Sequence, residues 1–150
     1  MSVRTAQHGT IRLERTFKAP LVRVFAAWAE PKARAQWDVP GRWVIAEQTF
    51  DFREGGRELK RFGPKDDPRF VADTLYIDVV PQRRIVFSYS MTSRGTPISV
   101  SLTTIELSPD GPNTHLLLVE QIVFLDGKDN AANREEGLAS MLDKIGATLD

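Results

Sequence analysis

Glu120 interrupts an apolar run, with Leu116-Leu117-Leu118-Val119 before it and Ile122-Val123-Phe124-Leu125 close behind. On strand alternation it shares a face with Leu116, Leu118, Ile122 and Phe124. If that face looks into an enclosed space, desolvation raises the carboxyl pKa and makes Glu120 a candidate general acid or base. The competing reading is an ion pair with a neighbouring Arg on an outer face, an arrangement structural carboxylates often adopt. Asp51 and Arg53 also share one face of a strand running from Ile45 to Arg53, opposite Phe50 and Phe52. They are either a polar anchor for a ligand carboxylate or an ion pair within or between strands.

Other chemistries find few residues. With two histidines, His8 in an N-terminal segment expected to be mobile and His115 at a strand start, a three-His metal site cannot be built. A mixed His/carboxylate site would need acids that spacing does not bring to His115, so no metal is expected. No G-x-S-x-G elbow and no phosphate-cradling glycine fingerprint occurs, and no cofactor is expected. The absence of Cys excludes disulfides, thiolate zinc, iron–sulfur clusters and thiol catalysis. What remains is aromatic: Trp37, Trp43, Tyr76, Phe87, Tyr89 and Phe124, with Met91 and Met141, are candidates for a ligand pocket. Each is equally a core residue until a cavity is measured.

These residues must be positioned by a chain of 150 residues, the length of one domain, with the ordered core expected at about 10–149. Twenty Lys and Arg balance twenty Asp and Glu, which removes the positive field a nucleic-acid partner requires. The balance is uneven along the chain: residues 1–75 carry 14 basic and 10 acidic side chains, and residues 76–150 carry 6 and 10. Internal charge complementarity between the halves is the simplest account. No stretch approaches a membrane span, and Met1 to Gly9 lacks a signal peptide's apolar stretch, so a cytoplasmic protein without membrane contact is expected.

Residues 10–17 alternate as a strand, with Ile11, Leu13 and Phe17 on one face and Arg15 intruding on it. Pro20 suits a helix start, and Leu21, Val24, Phe25 and Trp28 form one helical stripe. Pro31 redirects the chain into a short helical turn ending near Trp37. From Val44 to Leu125 the pattern predicts six antiparallel strands, with reversals at Glu54-Gly55-Gly56, Pro81-Gln82, Arg94-Gly95 and Pro109-Asp110-Gly111. Leu138, Met141, Leu142, Ile145 and Leu149 then mark a closing helix of four to five turns, with Asn133 and Glu136 as a capping pair. Gly137 and Gly146 each suggest close approach of that helix to the sheet. The result is an α+β arrangement in which the long helix buries its stripe against the sheet. The strand 114–125 is apolar on both faces, so its outer face needs another element or a second subunit, as in a homodimer.

Several blocks resemble the START-like (SRPBCC, helix-grip) superfamily, in the branch named for the activator of the heat-shock protein 90 ATPase. They are Arg15 to Pro20 leading into Val24-Phe25, Trp28 and Trp37; Asp51 to Arg57; Val80 to Phe87; Glu120-Gln121 with Phe124 to Gly127; and Arg134 to Gly137, running on to Met141-Leu142. Asp38 stands where that branch often has a second Trp, and Leu138 where it often has another. The resemblance implies a curved antiparallel sheet wrapped around a long C-terminal helix, two short helices after the first strand, and a cavity between sheet and helix.

Three functions follow as expectations. The first is binding of a hydrophobic or amphipathic small molecule, with Trp37, Asp51, Arg53, Tyr76, Phe87, Tyr89, Glu120, Phe124 and Met141 as candidate contacts. The second is a cochaperone-like role through surface contact with a heat-shock protein 90 chaperone. The third is a cavity enzyme of cyclase or dehydratase type using Glu120; an exposed or ion-paired Glu120 would argue against it.

Overall fold

Alternating apolar residues between strong turn signals produce the sheet, and the switch to helical spacing after Gly127 produces the element that closes it. The computed structural model describes residues 4–149, so Met1 to Val3, part of the segment read for a signal peptide, lie outside it. The order is β1 (Ala6–Phe17), α1 (Leu21–Ala29), α2 (Pro31–Arg34), β2 (Val44–Phe50), β3 (Arg57–Gly63), β4 (Phe70–Val80), β5 (Arg84–Ser93), β6 (Thr96–Asp110), β7 (Asn113–Leu125) and α3 (Ala131–Leu149). The seven strands form one antiparallel curved sheet in the order β1-β7-β6-β5-β4-β3-β2. This is the α+β helix-grip arrangement, with two short helices after the first strand and α3 against the concave face. At 19 residues α3 is about 28 Å long.

Leu142 and Ile145 on α3 are fully buried with Phe17, Val24, Ile105, Leu116 and Leu118 from β1, α1, β6 and β7. Burying each such side chain contributes about 1.5–3 kcal/mol, so this cluster fixes α3 over the β1–β7–β6 side of the sheet. The β5–β2 side is left less filled. Every helix therefore sits on one face, and Leu59, Leu75, Ile77, Val100 and Leu102 stand exposed on the other.

Four details differ from the sequence expectations. β1 begins at Ala6, so His8 is a strand residue paired opposite Val123 and not part of a mobile tail. β2 ends at Phe50, before Asp51 and Arg53, because the chain already reverses there: the Asp51 N–H donates to the Arg57 carbonyl at 3.2 Å. A Cβ on Gly56 would lie 2.1 Å from the Asp51 carbonyl oxygen, so only glycine permits that turn. α3 starts at Ala131, and its capping residue is Asn130, whose side-chain oxygen accepts from the Asn133 N–H at 2.8 Å. Finally, Gly146 does mark close approach, since a Cβ there would meet Phe17 at 3.3 Å, but Gly137 faces open space.

Candidate functional site

The register of the sheet gathers alternate side chains into rungs on the concave face. Glu120 lies opposite Thr103, Thr103 opposite Phe87, and Phe87 opposite Tyr76, across four strands. One step along, Tyr89 lies opposite Thr74 and Ser101, and Thr74 lies opposite Glu58. Diagonal neighbours on such rungs are within reach of long side chains, so Tyr89 meets Glu120 and Tyr76 meets Glu58.

A cleft of about 620 Å³ lies between these rungs, α3 and residues 38–43. Its apolar lining includes Phe62, Phe70, Phe87, Met91, Leu138 and Met141, with Trp43 stacked on Phe70 at 5.2 Å and Trp28 packed edge-on to Trp37. A cleft of this size and lining accommodates a small organic molecule. Gly137 also lines it, which explains the open space beside that residue: a side chain there would occupy the cleft.

Two ionic networks border the apolar lining. In one, Glu120 is 1% exposed and accepts from the Tyr89 hydroxyl at 2.9 Å and the Thr103 hydroxyl at 2.7 Å. Arg134 of α3 completes it: Nη1 lies 3.3 Å from Glu120 Oε2 and 2.9 Å from the Tyr89 oxygen, and Nη2 donates to Ser99 at 2.8 Å. Asp129 takes a further contact from Nη2 at 3.3 Å. Burial pushes the Tyr89 phenol well up, and the Glu120 charge adds to this, with Arg134 opposing. Burial alone would lower the Arg134 pKa, but Tyr89, Glu120 and Asp129 outweigh it and raise it.

The second network joins Arg34 of α2 to Glu58 of β3 and Tyr76 of β4. Arg34 Nη2 donates to both Glu58 oxygens at 3.1 Å and to Asp38 at 3.0 Å, while Nη1 donates to the Tyr76 oxygen at 3.1 Å. The Tyr76 hydroxyl in turn donates to Glu58 at 2.8 Å. Lys60 donates to Asp38 at 2.9 Å, and Gln48 donates to Glu58 at 2.9 Å. Burial would push the Asp38 carboxyl up, yet the Arg34 and Lys60 cations overcome it and hold it below the usual carboxylate range. Tyr76, like Tyr89, is pushed up by burial and by its Glu neighbour.

Of the residues singled out from sequence, Trp37, Tyr76, Phe87, Tyr89, Glu120 and Met141 line the cleft, as do Trp43 and Met91. Glu120 combines features of both readings: it faces inward, and it is ion-paired. Three residues stand elsewhere. Asp51 and Arg53 pair with each other at 2.9 Å on the exposed turn after β2, outside the cleft lining, because the reversal begins one residue before them. Phe124 is buried with Ile11 and Ile122 beside Arg134, and packs as core because α3 begins directly over it. His115 meets Glu14 at 3.6 Å, and no cluster able to hold a metal exists among the described residues.

Sequence reasoning missed Arg34, Glu58, Lys60 and Arg134. A signal existed for each: Arg134 lies four residues before Leu138 on the buried helical stripe, Glu58 and Lys60 alternate with Phe62, and Arg34 lies three before Trp37. Asp38, noted only as a replacement for an aromatic residue, is a member of the second network.

The family described as Activator of Hsp90 ATPase homolog 1-like protein matches residues 18–150. Among solved structures, the Mll3558 protein of Rhizobium loti is 43% identical, with a TM-score of 0.89 over 97% of this chain and 99% of its own. A protein of Rhizobium leguminosarum is 38% identical, with a TM-score of 0.91 over 99% and 98%. CalU16 of Micromonospora echinospora, 21% identical with a TM-score of 0.64 over 99% and 87%, shares the fold. No curated protein matches the chain. No helix among the described residues is long and apolar enough to cross a membrane.

Proposed function

The chain belongs to the family of Activator of Hsp90 ATPase homolog 1-like proteins, and from that premise we propose that it is a small-molecule binding protein whose ligand sits between the sheet and α3. The observation that carries this reading is the 620 Å³ cleft, with its aromatic lining and two buried ionic networks at its walls. Such a lining suits a hydrophobic or amphipathic ligand, because apolar area supplies the affinity and a few polar groups fix the orientation. Trp37, Phe87 and Met141 are its apolar contacts; Tyr76 and Tyr89 are its polar ones.

Catalysis by Glu120 is disfavoured on chemical grounds. Its carboxylate is ion-paired with Arg134 and holds the Tyr89 and Thr103 hydroxyls, so proton transfer through it would have to break that buried network. Native mass spectrometry of protein purified from its own host tests the binding reading. A co-purifying small molecule that is lost on Phe87→Trp, which fills the cleft, supports it. Protein that is ligand-free from the host and fails to bind any member of an amphipathic compound library overturns it.

A second reading rests on the family name and on the exposed apolar residues of the convex face, Leu75, Ile77, Val100 and Leu102. In that reading the face contacts a chaperone of the Hsp90 class. A complex with the host's own chaperone that is weakened by Val100→Glu supports it, and no complex at tens of micromolar refutes it.

A further inference from the structure

The side chains lining the cleft include as many cations as carboxylates, yet the two signs are unevenly placed along it. Beside residues 38–43, Arg34 and Lys60 are matched by Asp38 and Glu58, with contacts of 3.0, 3.1 and 2.9 Å. Lys144 of α3 is a third cation at this end, and it forms no salt bridge among the described residues. Its ammonium holds only the Val39 carbonyl, at 2.6 Å. Three cations against two carboxylates leave this end with one positive charge. At the other end Arg134 and Lys128 stand with Glu120, Asp129 and Glu136, which leaves one negative charge. Arg134 and Lys144 are about 15 Å apart along the axis of α3.

A carbonyl oxygen satisfies one N–H of the Lys144 ammonium but neutralises no charge, and two N–H groups are left to donate. Lys144 is half-buried on the cleft wall, so water screens its charge less than that of a fully exposed lysine. One negative charge placed beside it completes the balance of that end. A phosphate ester, with about −1.5 to −2, exceeds what is needed, and a neutral head leaves the positive charge unmatched. From this end a row of rings leads to the other. Tyr76, Phe87 and Tyr89 have successive centroids 5.8 and 6.1 Å apart, with Tyr76 held by Arg34 and Tyr89 by Arg134.

We infer that the ligand of this cleft is a carboxylate amphiphile with a single negative charge, its head at Lys144 and its apolar body along the ring row toward Arg134. The inference rests on the binding reading above and adds the ligand's charge and orientation. Two pairs of probes test it, each a carboxylate with its near-isosteric neutral amide: decanoate with decanamide, and 2-naphthylacetate with 2-naphthylacetamide. Dissociation constants are measured calorimetrically for the wild type, Lys144→Met, Lys144→Arg, which keeps the charge, and Lys128→Met at the opposite end. The ratio of amide to carboxylate constants is the readout, because loosening of residues 38–43 in Lys144→Met weakens both members of a pair and leaves their ratio unchanged.

The wild type is expected to prefer the carboxylate in at least one pair, and the preference to fall about threefold to tenfold in Lys144→Met, as loss of one partly screened charge contact requires. Lys144→Arg is expected to keep most of it, Lys128→Met to lower it less than Lys144→Met does, and added salt to narrow it. Amides that bind the wild type as tightly as their carboxylates overturn the inference. So does a preference that survives in folded Lys144→Met, or one that Lys128→Met removes and Lys144→Met does not. Each of these results leaves the binding reading standing. Failure of all four probes to bind the wild type removes the inference, and the library screen above then decides the binding reading.

Discussion

The Arg134 guanidinium of α3 and the Glu120 carboxylate of β7 meet at 3.3 Å, with both side chains at least nine-tenths buried. This ion pair spans the start of the closing helix and the concave face of the sheet. It lies beyond the apolar cluster around Leu142 and Ile145 and anchors the half of α3 that overlooks the cleft. Removing one partner strands the other as a buried charge, which costs about 3–5 kcal/mol. Arg134→Met is therefore expected to lower the unfolding free energy by about that amount, and Arg134→Met with Glu120→Gln to recover much of it. Urea unfolding of the four proteins measures the coupling; additive losses would show that the pair does not act as a unit.

The chain's two tyrosines, Tyr76 and Tyr89, are the two phenols of the networks, and both are pushed well above the usual value near 10. The unfolded chain loses these protons first as pH rises, so the folded state binds more protons above about pH 10 and stability falls there. Phenolate absorbance of the native protein is expected to stay flat past pH 10 and to appear together with loss of tertiary structure. A gradual phenolate titration with the fold intact would contradict this.

Acid acts on Asp38, whose pKa lies below the usual range in the folded protein. The unfolded chain takes up that proton first as pH falls, so the contribution of Asp38 is present above about pH 4 and is lost below it. Asp38→Asn is expected to start from lower stability at neutral pH and to lose less on acidification. Denaturant midpoints measured from pH 7 to pH 3 give the comparison, and parallel curves would disprove it.

Gly137 and Gly146 are both glycines within α3, yet they are expected to respond differently to Ala. A Cβ at Gly137 meets nothing within 4 Å, so Gly137→Ala gains up to about 1 kcal/mol of helix propensity. A Cβ at Gly146 presses on Phe17 at 3.3 Å, so Gly146→Ala gains less or destabilises. Thermal unfolding ranks the two variants. A larger residue, as in Gly137→Leu, projects into the cleft and is expected to weaken ligand binding without loss of stability.

The segment 38–43 is tied across the cleft by Lys144 of α3, whose ammonium donates to the Val39 carbonyl at 2.6 Å. Lys144→Met removes that bond. Faster amide hydrogen exchange is expected at residues 38–43, with β6 and β7 unchanged. Unaltered exchange in the segment would place its restraint with Arg34, Gln48 and Lys60, which all hold Asp38.

Periodicity was sufficient for the elements. The stripe Leu21-Val24-Phe25-Trp28, the turn glycines and the spacing Leu138-Leu142-Ile145-Leu149 were readable because each reports a local backbone geometry that side-chain burial must match. The same alternation put Glu120 on one face with Leu116, Leu118, Ile122 and Phe124, but not whether that face looked inward or outward. Asp51 and Arg53 were misplaced because a reversal depends on where a glycine permits close backbone approach, and Gly56 moved that point to Asp51.

The partners of Glu120 could not be read from the chain. Arg134 is 14 residues away, Tyr89 is 31 and Thr103 is 17, and only strand register and the angle at which α3 crosses the sheet bring them to one carboxylate. Likewise Arg34, Glu58 and Tyr76 belong to three separate elements. The sequence by itself determined the elements, the helical stripes and the family, since these follow from local geometry and apolar patterning. Tertiary structure alone decided which charges pair, which aromatics line a cleft and which fill the core, because those depend on distances between segments that local pattern does not encode.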